Sequence, residues 1–112
     1  ALIGEQAFYR NVPVELVYSK DAALGAVKAC HAEKLKDRVF NISSGLITKP
    51  EDIVGYIQRL IPGAKLEKEE AEAVYFAGSH IPMDITRAKK QLGFEPQFSL
   101  EEALEDYLAS IR

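Results

Sequence analysis

The residues best suited to chemistry are few and scattered along the chain. Cys30 and His31 are adjacent, and Tyr18-Ser19-Lys20 brings a phenol, a hydroxyl and an ammonium group together in sequence. Neighbouring residues of a helix point about 100° apart, so Cys30 and His31 do not converge on one metal ion, and no third ligand is close in sequence. We therefore predict no metal site, and we interpret Cys30 as a buried thiol of the core rather than a nucleophile.

Composition limits the classes of function. The chain has 112 residues, 47% of them hydrophobic and 28% charged, which suits one globular domain over residues 1–112. A net charge of −3 provides no basic surface for nucleic acid. No apolar run reaches the roughly 20 residues that span a bilayer. The single cysteine excludes an internal disulfide and suits a reducing, cytoplasmic location. Because the chain starts without Met and inside a predicted helix, we expect a fragment.

Two helices at the C-terminal end are the clearest local pattern. Asp84 is placed to cap the first helix, and Gly93 is placed to end it. Ser99 and Glu102 form a capping box that opens the second helix. The second helix carries an apolar stripe made of Leu100, Ala103, Leu104, Tyr107, Leu108 and Ile111.

Upstream of this pair, helical and strand patterns alternate. The predicted elements are a helix over 1–11, a strand over 12–18, a helix over 20–34, a strand over 38–44, a helix from a Thr48–Glu51 capping box to Pro62, an edge strand over 64–69, a short strand over 74–77 and a loop over 78–82. Ser19 is the predicted cap of the helix over 20–34, and its core face is formed by Ala23, Val27, Cys30 and His31. This order predicts an α/β domain with a small mixed or partly parallel sheet and flanking helices.

The C-terminal stretch resembles the end of the extended short-chain dehydrogenase/reductases. These are the NAD-dependent epimerase/dehydratase family, which acts on sugars and mostly on nucleotide sugars. The residues that carry this resemblance are Asp84, Ala88, Lys89, Leu92, Gly93, Phe94, Pro96, Leu100, Glu101 and Leu104. Two further segments match in the same order, Val17–Ala23 with Asp21 at the start of a helix, and Arg38–Gly45. The resemblance covers roughly residues 16–112 and implies the C-terminal, substrate-binding part of the family.

The catalytic and cofactor-binding motifs of that family do not occur in this sequence. A Gly-x-x-Gly-x-x-Gly turn lets the backbone approach the dinucleotide pyrophosphate, but the glycines here have other spacings. No lysine stands four residues after any tyrosine, so the Tyr-x-x-x-Lys pair is also absent, and Tyr18-Ser19-Lys20 is interpreted as a strand end and helix cap. We expect no catalytic or cofactor-binding residue in this chain. NAD or NADP would be held by an N-terminal nucleotide-binding domain, the missing partner.

The resemblance also implies three candidate substrate contacts. Nucleotide-sugar members bind the diphosphate with one arginine at the position of Val14 and another in the loop before Asp84, and neither arginine is present. His80 is the nearest substitute in that loop, and Arg87 and Asn41 are the other candidates. A solvated loop histidine, a solvated basic helix face and a structural role for Asn41 are the alternative interpretations.

Two hypotheses stay open at this point. In the first, the chain is the substrate-binding part of an NAD-dependent epimerase/dehydratase that takes a sugar or nucleotide sugar and is inactive alone. In the second, it is a stand-alone binding or self-association module derived from that domain. Under either hypothesis, apolar surface and the strand at Val39–Ile42 lose their cover, so we expect a homo-oligomer formed by strand pairing or segment exchange. The expected ligand is a sugar-type small molecule, and no nucleic acid or membrane is expected as a partner.

Overall fold

The computed structural model of the chain describes residues 6–10, 12–69 and 81–111. In chain order, its elements are β1 (Gln6–Arg10), β2 (Val14–Glu15), α1 (Ser19–His31), β3 (Ile47–Thr48), α2 (Pro50–Leu60), β4 (Lys65–Glu69), α3 (Thr86–Leu92) and α4 (Leu100–Ile111). The predicted strand over 74–77 lies outside the described residues. Among the described helices, none is long and apolar enough to cross a bilayer.

The strands form two small pairs. β1 runs parallel to β4, with Gln6 opposite Lys65, and β2 runs antiparallel to β3, with Val14 opposite Thr48. The predicted α/β class with a partly parallel sheet is therefore confirmed. The helix predicted over 1–11 is wrong across Gln6–Arg10, because pairing with β4 outweighs a weak helical spacing of apolar residues.

The strand predicted over 38–44 is also wrong in this chain. These residues join no sheet within the described part of the protein, and the next strand is β3, only two residues long. A strand is stabilised by hydrogen bonds to a neighbouring strand. The described residues provide no neighbouring strand for residues 38–44. Val39 is 73% exposed as a result.

The hydrophobic core is built on helix α3 and on Phe94, just after its end. Ala88, Leu92 and Phe94 are buried together, and the side chains packed against them are Ala29, Ala32, Phe40 and Ile42. Gly93 follows the last residue of α3 and adopts the left-handed conformation (φ 67°) that ends the helix, which brings Phe94 into the core.

The face of α1 that was predicted to be buried is exposed. Ala23 and His31 are exposed, Val27 is 53% exposed, and Cys30 is an exposed free thiol. The buried positions of α1 are instead Asp21 and Gly25. A Cβ on Gly25 would lie 2.8 Å from Ile42 Cγ2, so α1 uses its smallest residue to approach Ile42 closely.

The Ser99–Glu102 capping box of α4 is confirmed, whereas the N-cap position of α3 is Ile85 and the predicted Asp84 stands one residue before it. Asp84 Oδ1 accepts a hydrogen bond from Thr86 N at 2.9 Å. Ser99 and Glu102 make the reciprocal bonds of a capping box, with Glu102 N to Ser99 Oγ at 3.2 Å and Ser99 N to Glu102 Oε1 at 3.3 Å. Both interactions span no more than four residues, which is why local sequence predicts them.

The two upstream caps were predicted wrongly. Tyr18 and Lys49 occupy the N-cap positions of α1 and α2, and neither makes a side-chain cap bond. Ser19 is the first residue of α1. Thr48 is paired with Val14 in the sheet, so it is not available as the cap, and Pro50 begins α2.

Candidate functional site

The segment before α3 is held by two polar side chains, Glu15 and Asn41, from two other parts of the chain. Glu15 at the end of β2 accepts hydrogen bonds from Met83 N at 2.7 Å and from the Ser43 hydroxyl. Asn41 Nδ2 donates to the backbone oxygen of Asp84 at 3.2 Å. Thus a single carboxylate joins β2, the 41–45 segment and the entry to α3, and Asn41 adds a second link.

The side chain of Asp84 stays ionised at this entry. The hydroxyl and backbone N–H of Thr86 lower the pKa of Asp84 below its ordinary value. The nearby cations Arg87 and Lys90 act in the same direction. Asp84 therefore carries a negative charge beside the N-terminus of α3, one residue before the N-cap Ile85.

Arg87 is engaged with the chain itself. Its Nη1 donates to Val39 O at 3.2 Å, and its Nε lies 3.5 Å from Asp37 Oδ2. Gln91 Nε2 donates to the same Asp37 oxygen at 2.6 Å. These contacts hold segment 37–39 against α3. A half-exposed ion pair of this kind stabilises by no more than about 1 kcal/mol.

The structure thus places two of the three predicted substrate residues on adjoining segments. Asn41 and Arg87 both connect the 37–41 segment to the start of α3. Their contact with a substrate stays a prediction. His80 lies outside the described residues.

Asp21 has a structural role that its sequence position alone does not reveal. Its carboxylate is 2% exposed and accepts from Gln97 N at 2.8 Å and from Phe98 N at 3.1 Å. These amides belong to the connector between α3 and α4. The acid at the start of α1 thereby fixes where the C-terminal helix begins.

A second polar cluster lies where α1 meets α4. The Tyr18 hydroxyl donates to Asp106 Oδ2, and Lys20 Nζ lies 2.6 Å from the same oxygen. The Tyr18 ring packs on Phe98 with centroids 4.8 Å apart. Sequence reasoning missed this cluster because 88 positions separate Tyr18 from Asp106.

The contacts in this cluster shift the pKa of Tyr18 and the pKa of Asp106 in opposite directions. The hydrogen bond to Asp106, then desolvation, raises the pKa of Tyr18 to about 12. Lys20, then Tyr18, lowers the pKa of Asp106. Tyr18 is therefore protonated at neutral pH and Asp106 is charged, so this phenol is a donor and not a base.

An open cavity of about 370 Å³ adjoins this cluster. Its walls come from the residues between β2 and α1, the start of α1, the 44–48 segment, Phe98 and the first two turns of α4. Asn41 and Arg87 are not among its lining residues. The described residues hold no group of three or more His, Cys, Asp or Glu that could bind a metal ion.

The sequence matches no protein-family model, and no curated protein matches it. Solved structures do match. A partial-consensus L-threonine 3-dehydrogenase superposes with a TM-score of 0.79 at 25% identity, over 96% of this chain and 37% of the other. The GalE-like L-threonine dehydrogenase of Cupriavidus necator in its holo form gives 0.81 at 24% identity, over 97% and 37%.

The UDP-glucuronic acid 4-epimerase of Bacillus cereus, in complex with NAD, gives a TM-score of 0.73 at 20% identity, over 96% of this chain and 35% of the other. In each case this chain matches the C-terminal portion of the longer protein. The fold is that of the C-terminal part of NAD-dependent epimerase/dehydratase and threonine dehydrogenase proteins. The chain spans little more than a third of the length of these structures, whose N-terminal domain has no counterpart in the 112 residues.

Proposed function

We propose that this chain is the substrate-binding C-terminal part of an NAD(P)-dependent epimerase, dehydratase or dehydrogenase. It works together with an N-terminal nucleotide-binding domain and is inactive alone. The observation that carries this proposal is the match of 96% of the chain to the C-terminal part of such enzymes. The epimerase from Bacillus cereus is in complex with NAD. The sequence of this chain has neither the glycine turn nor the Tyr-x-x-x-Lys pair, so we assign cofactor binding and catalysis to the N-terminal domain.

The small core supports a requirement for a partner. The buried hydrophobic residues among those described are Ile61, Ile85, Ala88, Leu92 and Phe94. A chain that buries so little apolar surface gains stability by packing against a further domain.

The segment Val39–Ile42 is the proposed docking edge. Val39 is largely exposed, and the segment has no strand beside it in the described part of the chain. The other side of the segment is already fixed, since Phe40 and Ile42 pack on the α3 core. A strand of the nucleotide-binding domain placed here would satisfy its backbone groups and cover Val39.

The proposed substrate is a small hydroxyl-bearing molecule, a sugar or nucleotide sugar in the first candidate. L-threonine, on which dehydrogenases of matching fold act, is the second. Val14 takes the place of the expected diphosphate-binding arginine and is half-buried in β2. Arg87 is occupied by Asp37 and Val39. Both observations favour a substrate without a diphosphate. Asn41 and His80 are the proposed contacts, and Arg87 would join them only by leaving Asp37 and Val39.

The deciding experiment is intact mass and N-terminal mapping of the natural protein, followed by assay of that protein with NAD and NADP. We expect a product longer than 112 residues that, with NAD or NADP, either converts a sugar without net reduction of the dinucleotide or oxidises L-threonine and reduces the dinucleotide. A natural product that ends at these 112 residues would instead support the stand-alone module. Stoichiometric NAD binding or sugar turnover by the 112-residue chain alone would contradict the proposal.

A further inference from the structure

Glu15, at the end of β2, uses both of its carboxylate oxygens within the chain. Oε1 accepts a hydrogen bond from the backbone N–H of Met83 at 2.7 Å, and Oε2 accepts one from the hydroxyl of Ser43. Ser43 is buried, whereas Met83 is about half-exposed. The carboxylate therefore ties an exposed part of the chain to a point that is fixed inside the protein.

The backbone at Gly45 approaches the same place. Gly45 has a positive φ of 72°, and a Cβ built on it would lie 3.3 Å from Ile85 Cδ1 and 3.8 Å from Met83 O. Ile85 is buried. The entry to α3 thus has contacts on two sides, the carboxylate of Glu15 and the backbone at Gly45, and these contacts set the position of Met83 and of Asp84 after it.

Asn41 is bound to this entry through one end of its side-chain amide. Its Nδ2 donates to the backbone oxygen of Asp84 at 3.2 Å. Because a carbonyl oxygen only accepts, the amide nitrogen has to face Asp84, and the amide oxygen is left for another partner. Asn41 is exposed, and none of the described residues donates a hydrogen bond to its Oδ1. Asn41 therefore presents an acceptor at the surface, in an orientation that the backbone of Asp84 determines.

We propose that Glu15 is a positioning residue of the substrate site, which sets the orientation in which Asn41 Oδ1 accepts a hydrogen bond from an O–H or N–H group of the substrate. This inference rests on the proposed function. Glu15 fixes the backbone amide of Met83. The next residue, Asp84, holds Asn41 through its backbone oxygen. Sugar hydroxyls and the hydroxyl and ammonium groups of L-threonine are suitable donors, whereas ionised phosphate oxygens only accept.

A double-mutant cycle in the steady-state kinetics of the natural, full-length protein tests this role. The probes are L-threonine and UDP-glucuronic acid, on which enzymes of matching fold act, each with NAD and NADP. Glu15→Ala and Asn41→Ala should each raise KM for the converted probe about tenfold, as expected for the loss of one hydrogen bond to the substrate. The double variant should raise it no further than Asn41→Ala alone, because Glu15 acts through Asn41. Neither kcat nor KM for the dinucleotide should change.

Three further variants separate positioning from general stability. Glu15→Gln keeps an acceptor for Met83 N and gains a donor for the Ser43 hydroxyl, so it should restore the KM of the wild type. Asp21→Ala removes a carboxylate that holds two backbone amides of the connector before α4, so it should lower stability and leave KM unchanged. Ser43→Ala removes one of the two bonds of Glu15 and replaces Glu15→Ala in the cycle if circular dichroism shows that Glu15→Ala is unfolded.

Three results would overturn the inference. The first is an active wild type whose KM is unchanged by Glu15→Ala, which leaves the proposed function intact and removes the positioning role. The second is a double variant in which the two increases in KM multiply, because Glu15 and Asn41 would then act independently. The third is a natural protein that converts neither probe, which would contradict the proposed function and this inference together.

Discussion

The two C-terminal helices are adjacent in sequence but differ in what holds them. Helix α3 contributes Ala88 and Leu92 to the core, and Phe94 behind it has no exposed surface. Helix α4 has no buried residue. It is attached to the rest of the chain by polar contacts, notably those of Asp21 with the preceding connector, Tyr18 and Lys20 with Asp106, and Arg59 with Glu101 at 2.9 Å.

This difference shows that an apolar stripe on a helix does not by itself predict how deeply the helix is buried, since α3 has buried residues and α4 has none. The α3 side has an assembled core that depends only on this chain. Helix α4 has the longer stripe and lies against α2, yet the apolar residues of this stripe are at most half-buried, and Tyr107 and Ile111 stay exposed. Surface of this kind is available for a partner.

Replacing Phe94 tests the core half of the comparison and has the largest expected effect. Phe94→Ala should lower the free energy of unfolding by about 3–5 kcal/mol, because it opens a cavity in a buried aromatic site. Tyr107→Ala is the matched control, and in the isolated monomer its ring is half-exposed, so the loss should stay below about 1 kcal/mol. Urea denaturation of dilute protein measures both, and equal losses would remove the distinction between the two sides.

Removing the carboxylate of Asp21 tests the polar attachment of α4. Asp21→Ala leaves the amides of Gln97 and Phe98 without their acceptor. We expect a loss of about 2–3 kcal/mol. Asp21→Asn keeps one acceptor oxygen and should lose roughly half as much. Hydrogen exchange should accelerate at residues 97–98 in both variants, and unchanged exchange there would argue that the connector is held by other contacts.

Two glycine substitutions sharpen the contrast between a close approach and an open helix face. Gly25→Ala would press a methyl group against Ile42 at 2.8 Å and should cost about 1–2 kcal/mol. In Gly55→Ala, the new Cβ in α2 meets no atom within 4 Å other than the nearby backbone of its own helix, and the change should stabilise by about 0.5–1 kcal/mol. Opposite signs in thermal denaturation are the expected result. A neutral Gly25→Ala would mean that Ile42 shifts freely.

The pH dependence of stability should show the smallest effect. The pKa of Asp106 is lowered in the folded state, so its contribution is present above the unfolded pKa and is lost as pH falls through the folded value. The pKa of Tyr18 is raised from 10.0 to about 12, so its contribution is lost as pH rises through that window. Asp106→Asn should weaken both dependences in urea midpoints measured against pH. An unaltered profile in this variant would exclude Asp106 as their source.

The fold class could be predicted from the sequence because a few short segments resemble the family. The match at 84–104, together with Asp21 and the 38–45 segment, implied the fold that the superpositions show. The candidate site was less predictable. Asn41 and Arg87 were named, but Glu15, which holds Met83 and Ser43, carried no signal, since its partners lie 28 and 68 residues away.

The sequence by itself determined the local features: the Asp84 bond to Thr86, the left-handed Gly93 and the reciprocal Ser99–Glu102 cap. Each joins residues within one helical turn, so residue type and spacing suffice. Only the tertiary structure decided that β1 is a strand, that α1 buries Gly25 rather than Val27, and that Tyr18 meets Asp106. These outcomes depend on which distant segment lies alongside, and pairing or close approach between distant segments outweighs the weak preferences of a short stretch of chain.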